Sequence, residues 1–238
     1  MAKSALLKSS LAKKYWMAFT GLFLCLFLVG HLFGNLQLLL PVSDMAKDQF
    51  NEYALFMTTN PAVKVLSYVT YISIIFHAID GLLLTIHNRK ARPQGYVNFK
   101  PSTNSKWSSR NMGILGTVIL AFIVIHMSMF WAEMKFGGLD DTYYTTANGE
   151  EVKDLYTLTI KTFQDAQYGL LWAIAYAVAM LAIGFHLSHG FSSGFQSLGV
   201  NHPKYNGFIR KTGYAFAVLV PLAFAVIPFY IHFVLEKI

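Results

Sequence analysis

Five long apolar stretches, separated by short polar segments, set the organisation of the chain. Each stretch is long enough to cross the ~30 Å hydrocarbon layer of a bilayer as a helix, which takes about 20 residues. The stretches are continuously apolar and not alternating, and this excludes a membrane β-barrel. The pattern therefore predicts an all-α integral membrane protein with a single membrane domain, residues 1–238, built as a bundle of five transmembrane helices at about residues 15–40, 62–87, 112–133, 168–191 and 212–235.

Composition supports this prediction, and the distribution of charge predicts how the chain is oriented in the membrane. Hydrophobic residues make up 55% of the chain and charged residues 13%, which is more apolar than a soluble domain of this length. If the helices alternate in direction, most basic residues fall on one side, and by the positive-inside rule this side is cytoplasmic. We expect a multi-pass protein of the cytoplasmic membrane with its N-terminus inside. The basic residues of this side are Lys3, Lys8, Lys13, Lys14, Arg89, Lys90, Arg92, Lys100, Lys106, Arg110, Lys204, Arg210 and Lys211.

The net charge of +7 follows mainly from this topology. A nucleic-acid-binding protein would need its basic residues gathered on one soluble face, and here they are spread over short loops. We therefore expect no nucleic-acid partner, although some of these residues can contact anionic lipid. On the opposite side, the polar segment from Asp140 to Gln167 is predicted to be a surface excursion with a short helix or a hairpin.

Four of the eight histidines lie well inside four different apolar stretches: His31, His77, His126 and His186. An ionisable side chain at bilayer depth is costly and marks a functional site by default. Neutral imidazole is a common metal ligand, so four such residues on four helices could hold two haem irons. A lone buried histidine is more often a hydrogen-bonding residue between helices, but four in separate spans favour ligation.

The depths of these histidines group them in pairs. At ~1.5 Å of rise per residue, His31 lies about 25 Å above Lys14 and His126 about 24 Å above Arg110. His77 and His186 lie lower, at about 18 Å and 15 Å. One haem is therefore expected near the outside between the first and third helices, and a second nearer the inside between the second and fourth.

The remaining histidines lie at other places. His87 and His202 belong to inside boundaries and His232 to the outside end of the last helix, where each is expected to be solvated or interfacial. His189 is three residues after His186 and nearly on the same helix face. It is open to three roles: competing axial ligand, partner of a haem propionate, or quinone contact.

An ordered set of short motifs resembles the cytochrome b membrane-anchor subunit of succinate dehydrogenase and fumarate reductase, in its single-chain, five-helix, two-haem form. The resemblance covers about residues 10 to 235. It rests on Thr20-Gly21-Leu22-Phe23 through Gly30-His31-Leu32-Phe33, Phe76-His77-Ala78 leading to Asn88-Arg89-Lys90, Val124-Ile125-His126, and His186-x-x-x-Gly190 with Gly199 further on.

The resemblance implies two b haems, with His77 and His186 on the proximal haem and His31 and His126 on the distal haem. It selects His186 over His189, because the family ligand lies four residues before the glycine. It also implies an electron-transfer subunit of succinate:quinone oxidoreductase, which passes electrons between a partner iron–sulfur subunit and a membrane quinone, usually menaquinone. Oxidation of succinate takes place at flavin in a further subunit. The chain has one cysteine, Cys25, and no dinucleotide-binding glycine pattern, so flavin and clusters must come from partners.

Glu52 is the candidate quinone residue. It lies in Asn51-Glu52-Tyr53, before the second predicted span, in a segment interpreted as a loop that also carries Phe50 and Phe56. Quinone chemistry needs a proton donor or acceptor beside an apolar, aromatic pocket, and a carboxylate near the distal haem meets this need. A solvated loop glutamate is the alternative, and then His189, Ser192 and Arg89 on the inside are the next candidates.

Other functions stay open at this point. The chain could be another di-haem, quinone-reactive cytochrome b. It could be a membrane hydroxylase or desaturase that binds two irons through histidine clusters, for which only His186-x-x-His189 offers any support. It could also be a transporter whose buried histidines relay protons.

Overall fold

The computed structural model describes residues 9–91, 103, 105–137 and 143–238. About 83% of the structure is helical, and five helices are long and apolar enough to cross a membrane. This is the architecture of a multi-pass membrane protein. The five spans are Ser10–Leu39, Pro61–Lys90, Met112–Phe136, Gly169–Ser197 and Pro203–Phe233.

The elements follow one another in the order of the predicted spans, with added short elements between them. They are α1 (Ser10–Leu36), a 3₁₀ turn (Gln37–Leu39), α2 (Asp44–Thr59), α3 (Pro61–Lys90), α4 (Trp107–Arg110), α5 (Met112–His126), a π-helix (Met127–Ala132), α6 (Glu133–Phe136), β1 (Tyr143–Thr145), β2 (Glu151–Lys153), α7 (Leu155–Gln164), α8 (Gly169–Ser197) and α9 (Pro203–Phe233).

Local capping explains why the helices end where they do. The Asn60 side chain accepts a hydrogen bond from the Ala62 N–H at 3.0 Å, and α3 starts at the following proline, as expected for proline in a first helical turn. At the end of α8, Gly199 has a φ of +85°, and the Val200 N–H bonds the Phe195 carbonyl at 3.0 Å. This is a Schellman cap, in which glycine takes the left-handed conformation at no steric cost. The residue before a proline is disfavoured in a helix, so the sequence predicts a helix boundary at Arg92-Pro93, which lies outside the described residues.

The last helix begins at Pro203 and not near residue 212. Its first turns carry Lys204, Arg210 and Lys211, which lower the local hydropathy below that of a membrane span. The Lys204 N–H nevertheless donates a hydrogen bond to the His202 ring at 3.2 Å. This contact caps the helix at a point before the apolar part begins. Hydropathy reports the part of a helix that lies in lipid, whereas capping sets the helix end itself.

The polar segment after the third span contains both elements that were predicted as alternatives. β1 and β2 pair antiparallel, with Tyr144 opposite Val152, and α7 follows at once. The turn between the strands places Gly149 at a φ of +82°. The described part of the predicted excursion is therefore a hairpin followed by a helix.

The chain divides into two compact units. Unit 1 comprises Met1–Phe27, Val69–Ile119 and Ala182–Leu219, and unit 2 comprises Leu28–Tyr68, Leu120–Leu181 and Val220–Ile238. Unit 2 contains a buried apolar cluster of Leu38, Tyr156, Ile160, Phe163, Tyr176, Ile227, Ile231 and Leu235. His77 and His186 belong to unit 1, and His31 and His126 belong to unit 2.

Candidate functional site: two facing histidine pairs

The rings of His77 on α3 and His186 on α8 face each other within unit 1. Their centroids are 6.1 Å apart and their planes are inclined by 68°. A Cβ built on Gly116 of α5 would lie 4.0 Å from His186 Cε1, an ordinary van der Waals contact, so α5 packs beside this ring. These are the two histidines that the depth argument grouped nearer the inside.

His77 is held by the first helix. Its Nδ1 lies 3.2 Å from the hydroxyl of Thr20, and that hydroxyl donates to the Trp16 carbonyl at 2.7 Å. A Cβ built on Gly21 would lie only 2.9 Å from His77 Cε1. The sequence Thr-Gly on α1 thus gives the ring both a polar partner and the space that it occupies.

His186 has a different environment from His77. Among the described residues, its Nδ1 is buried and has no hydrogen-bond partner. A buried polar atom without a partner costs free energy unless a ligand or water satisfies it. His189, one turn later, is partly buried and interacts electrostatically with Lys106 and His186. The ring that faces His77 is that of His186.

The second pair is His31 on α1 and His126 at the end of α5. Their ring centroids are 5.8 Å apart and their planes are inclined by 80°. Aromatic rings surround the pair: Phe224 lies 5.5 Å from His31, and Phe122 and Phe130 lie 5.7 and 5.4 Å from His126. The pair therefore lies in an apolar, aromatic environment within unit 2.

Tyr176 on α8 fixes the orientation of the His126 ring. Its hydroxyl lies 3.1 Å from His126 Nδ1 and 3.9 Å from the sulfur of Met129. The tyrosine ring packs against Phe122 and Phe163, with centroids 4.9 and 5.1 Å away. The backbone immediately after His126 forms the π-helix, and single π turns inside α-helices occur often at functional sites.

The donor set fits axial ligation of an iron porphyrin. Two imidazoles on opposite sides of one iron, with metal–nitrogen bonds of about 2.0 Å, place their ring centroids roughly 6 Å apart. Edge-to-face packing of aromatic rings also occurs at such distances, but phenylalanine would pack in this way without the cost of a polar ring in lipid. Where the structure describes the chain, no three His, Cys, Asp or Glu side chains gather as a metal site, so histidine pairs are the available ligand sets.

Three polar residues near the pairs were not singled out from the sequence. Thr20 and Tyr176 bond the two histidine rings, and Asp80, one turn after His77, interacts electrostatically with that ring. The Asp80 carboxylate carries a recognisable signal, because an acid inside a predicted span is rare. Thr20 and Tyr176 carry none, because hydroxyl residues are common in membrane helices and their partners depend on how neighbouring helices align.

The sequence interpretation of Glu52 as a loop residue is wrong. Residues Asp44–Thr59 form α2. Ser43 caps the N-terminus of this helix, because its side chain accepts a hydrogen bond from the Ala46 N–H at 3.1 Å. The loop prediction failed because polar residues such as Asp48 and Asn51 interrupt the apolar positions of this helix and lower its hydropathy below that of a membrane span. The Glu52 carboxylate accepts from the Asn148 amide at 2.9 and 3.0 Å.

A polar network connects α2 to the hairpin and α7. Asn51, only 1% exposed, donates to the Tyr144 hydroxyl and to Asp154 at 3.2 Å each, and its oxygen accepts from the Tyr156 N–H at 2.9 Å. Lys47 pairs with Asp154 at 2.6 Å. These contacts make the segment outside the spans one connected structure within unit 2.

The network changes the acidity of two of its members. Partial burial by itself raises the pKa of Asp154, but hydrogen bonds from Lys47, Thr157 and Asn51 outweigh burial, and the pKa lies below its usual value. Burial, assisted by the neighbouring Asp48 and Asp154 carboxylates, raises the pKa of Tyr144 to about 12. Asp154 is thus ionised and Tyr144 neutral at physiological pH.

The other histidines are structural or exposed. The His232 ring lies 2.7 Å from the Phe163 carbonyl and is partly buried, so it is not merely interfacial as expected. His202 accepts from the first turn of α9, and His87 is exposed near the end of α3. Of the expected inside basic residues, Lys3, Lys8, Arg92 and Lys100 lie outside the described residues.

Comparison of the chain with protein-family models, with curated proteins and with solved structures found no match to any of them.

Proposed function

We propose that the chain is the membrane-anchor cytochrome b subunit of a succinate:quinone oxidoreductase, with two bis-histidine b haems. The observation that carries this proposal is that four histidines from four spans form two facing ring pairs, with centroids 5.8 and 6.1 Å apart. His31 and His126 hold one haem, and His77 and His186 hold the other.

Each bound haem supplies a one-electron couple. The chain's own residues determine what this couple can do. With both histidines of a pair bound to its iron, a haem would have no coordination position left for oxygen, so the site would favour electron transfer over oxygen chemistry. The aromatic side chains around His31 and His126 exclude water, which reduces the reorganisation that accompanies a change of charge.

Partner subunits complete the proposed complex. Iron–sulfur clusters need several cysteine thiolates, and the sequence offers only Cys25, which is buried within a span. Electrons from succinate therefore enter through a partner iron–sulfur subunit that receives them from a flavoprotein subunit. By the charge pattern, that subunit docks on the inside loops that carry Lys90, Arg92, Lys100 and Arg110, of which Lys90 and Arg110 belong to the described residues.

The electrons leave to a membrane quinone, which in the family that the chain resembles is usually menaquinone. Glu52 remains the candidate for proton exchange at the distal haem, although its contact with Asn148 equally supports a structural role. The resulting activity belongs to respiratory complex II, which links the tricarboxylic acid cycle to the quinone pool.

The direct test is optical spectroscopy of the purified chain in detergent. We expect b-type α-bands on reduction and a pyridine haemochrome content of two haems per chain. In His31→Ala and His126→Ala the same haem should be lost, and in His77→Ala and His186→Ala the other. His87→Ala, at an exposed position on the same helix as His77, is the matched control and should retain both.

Two outcomes would overturn the proposal. A folded chain without b-type bands would favour a proton-relaying transporter or a histidine-iron enzyme. Four alanine variants with indistinguishable losses would contradict the assignment of the ligand pairs.

A further inference from the structure

The two histidine pairs share a feature that axial ligation alone does not require. In each pair, one histidine has its Nδ1 next to a side-chain hydroxyl: His77 next to Thr20 at 3.2 Å and His126 next to Tyr176 at 3.1 Å. The two hydroxyls come from different residue types on different helices, α1 and α8. The common geometry therefore arises twice independently.

The direction of the Tyr176 hydrogen bond follows from the iron ligation proposed for His126. If His126 coordinates iron through Nε2, its Nδ1 carries the ring proton, and the Tyr176 oxygen accepts from Nδ1–H at 3.1 Å. The hydroxyl proton is then left for the sulfur of Met129, which lies 3.9 Å away and can only accept. This tautomer has a bare Nε2, the nitrogen that can coordinate iron.

The Thr20 contact has the same direction for a different reason. The Thr20 hydroxyl proton is donated to the Trp16 carbonyl at 2.7 Å, and a carbonyl can only accept. The Thr20 oxygen is thus an acceptor for His77 Nδ1–H. Both hydroxyl oxygens can accept from Nδ1–H, and this stabilises the tautomer whose Nε2 is free.

We propose that Tyr176 and Thr20 are positioning residues, each of which fixes the tautomer and the electron-donor strength of one axial histidine, Tyr176 for His126 and Thr20 for His77. This inference rests on the proposed function. A histidine that donates its distal N–H becomes a more basic ligand. A more basic ligand stabilises ferric over ferrous iron and lowers the midpoint potential of its haem.

The two partners act on different haems, because each contact lies within a different unit. Removal of the Tyr176 hydroxyl should therefore raise the midpoint potential of the haem held by His31 and His126 alone. Removal of the Thr20 hydroxyl should raise only the potential of the haem held by His77 and His186. Loss of one such hydrogen bond corresponds to a change of about 3- to 10-fold in the ratio of oxidised to reduced haem at a fixed potential.

The experiment is a spectrally resolved redox titration of Tyr176→Phe and Thr20→Val, combined with electron paramagnetic resonance of the ferric low-spin signals. Two variants serve as matched controls. Tyr156→Phe removes a buried hydroxyl of unit 2 that has no hydrogen-bond partner in the described part of the chain. Thr85→Val removes a hydroxyl that donates to the Gly81 carbonyl at 2.7 Å and that bonds no histidine within the part of the chain that the structure describes.

The expected result is one shifted potential in each test variant, a changed signal for the same haem, and wild-type behaviour in both controls. Thr20→Ser, which keeps a hydroxyl, should restore the wild-type potential. Loss of only the His126 haem in a folded Tyr176→Phe chain would also support the proposal. Unshifted potentials in both test variants, or equal shifts of both haems, would overturn it.

The controls also separate this inference from the function on which it rests. A folded wild-type chain without b haem refutes the proposed function. A wild-type chain with two low-spin b haems, together with test variants of unchanged potential, refutes only the role of Tyr176 and Thr20. If Tyr176→Phe fails to fold, Thr20→Val on the other haem decides the question.

Discussion

Gly21 on α1 and His77 on α3 are so close that the glycine cannot be enlarged without moving the ring: a Cβ on Gly21 would lie 2.9 Å from His77 Cε1. Real Cβ atoms are almost never found so close to another heavy atom. The position of the imidazole is therefore set by the absence of a side chain on its neighbour as much as by the hydroxyl of Thr20.

Gly21→Ala should displace His77 and weaken or abolish the haem that it holds with His186. The matched control is Gly30→Ala, on the same helix and next to His31, where an added Cβ meets nothing within 4 Å. Both changes gain about 1 kcal/mol in helix propensity, so propensity cannot explain a difference between them. Haem content and the low-spin spectrum are the measurements, and equal haem loss in both variants would contradict the steric argument.

His189→Ala should retain both haems, because His186 is the residue of this turn whose ring faces His77. His186→Ala should lose the haem that His77 shares. Three residues at ~100° each turn through about 300°, so the two positions are separated by about 60° around the helix and by about 4.5 Å along it, and only one ring can point squarely at a given iron. Bis-histidine spectra that survive in His186→Ala and disappear in His189→Ala would reverse the assignment.

Glu52→Gln should reduce quinone-linked turnover and leave both haems, and succinate oxidation with an artificial acceptor, unchanged. Asn148→Ala is the informative comparison, because Asn148 donates to both oxygens of this carboxylate. If Glu52 exchanges protons with quinone, only the glutamate variant loses most of its turnover. If the pair is structural, the two variants have equal effects, and normal quinone turnover in Glu52→Gln would eliminate the residue.

Lowering the pH should destabilise the segment outside the spans, because it protonates Asp154. Its pKa in the folded state lies below the usual value, so it contributes stability that is present above the unfolded-state pKa and is lost as pH falls through the folded-state value. Hydrogen exchange of residues 143–164 should increase below about pH 4. Asp154→Asn should make the segment less stable at neutral pH and remove most of this acid dependence; an unchanged pH profile would show that another group controls it.

Hydropathy was sufficient to place five helices, because the cost of burying polar backbone and charge in lipid leaves a long, continuous signal. It missed α2, since polar residues such as Asp48 and Asn51, which hold that helix by hydrogen bonds, lower its hydropathy below that of a membrane span. It also placed the start of α9 too late, since residues such as Lys204 lie beyond the apolar part of the helix.

The candidate site could be predicted in part. Depth along each helix depends only on residue counts, so the grouping of His31 with His126 and of His77 with His186 could be proposed from the sequence. The hydroxyl partners Thr20 and Tyr176 could not, because they depend on rotation and lateral alignment of neighbouring helices. The rotation and alignment of the helices are set by side-chain packing, which produces no periodic pattern that can be recognised in a single sequence.

The π-helix at Met127–Ala132 has a consequence for how this chain tolerates changes of length. A π turn closes hydrogen bonds over one more residue than an α turn, so the segment after His126 behaves as an α-helix that has accommodated one inserted residue. Deletion of a single residue there can be absorbed by a return to regular α-helix. The same deletion within α5, before His126, would instead rotate every later side chain by about 100° and turn His126 away from His31.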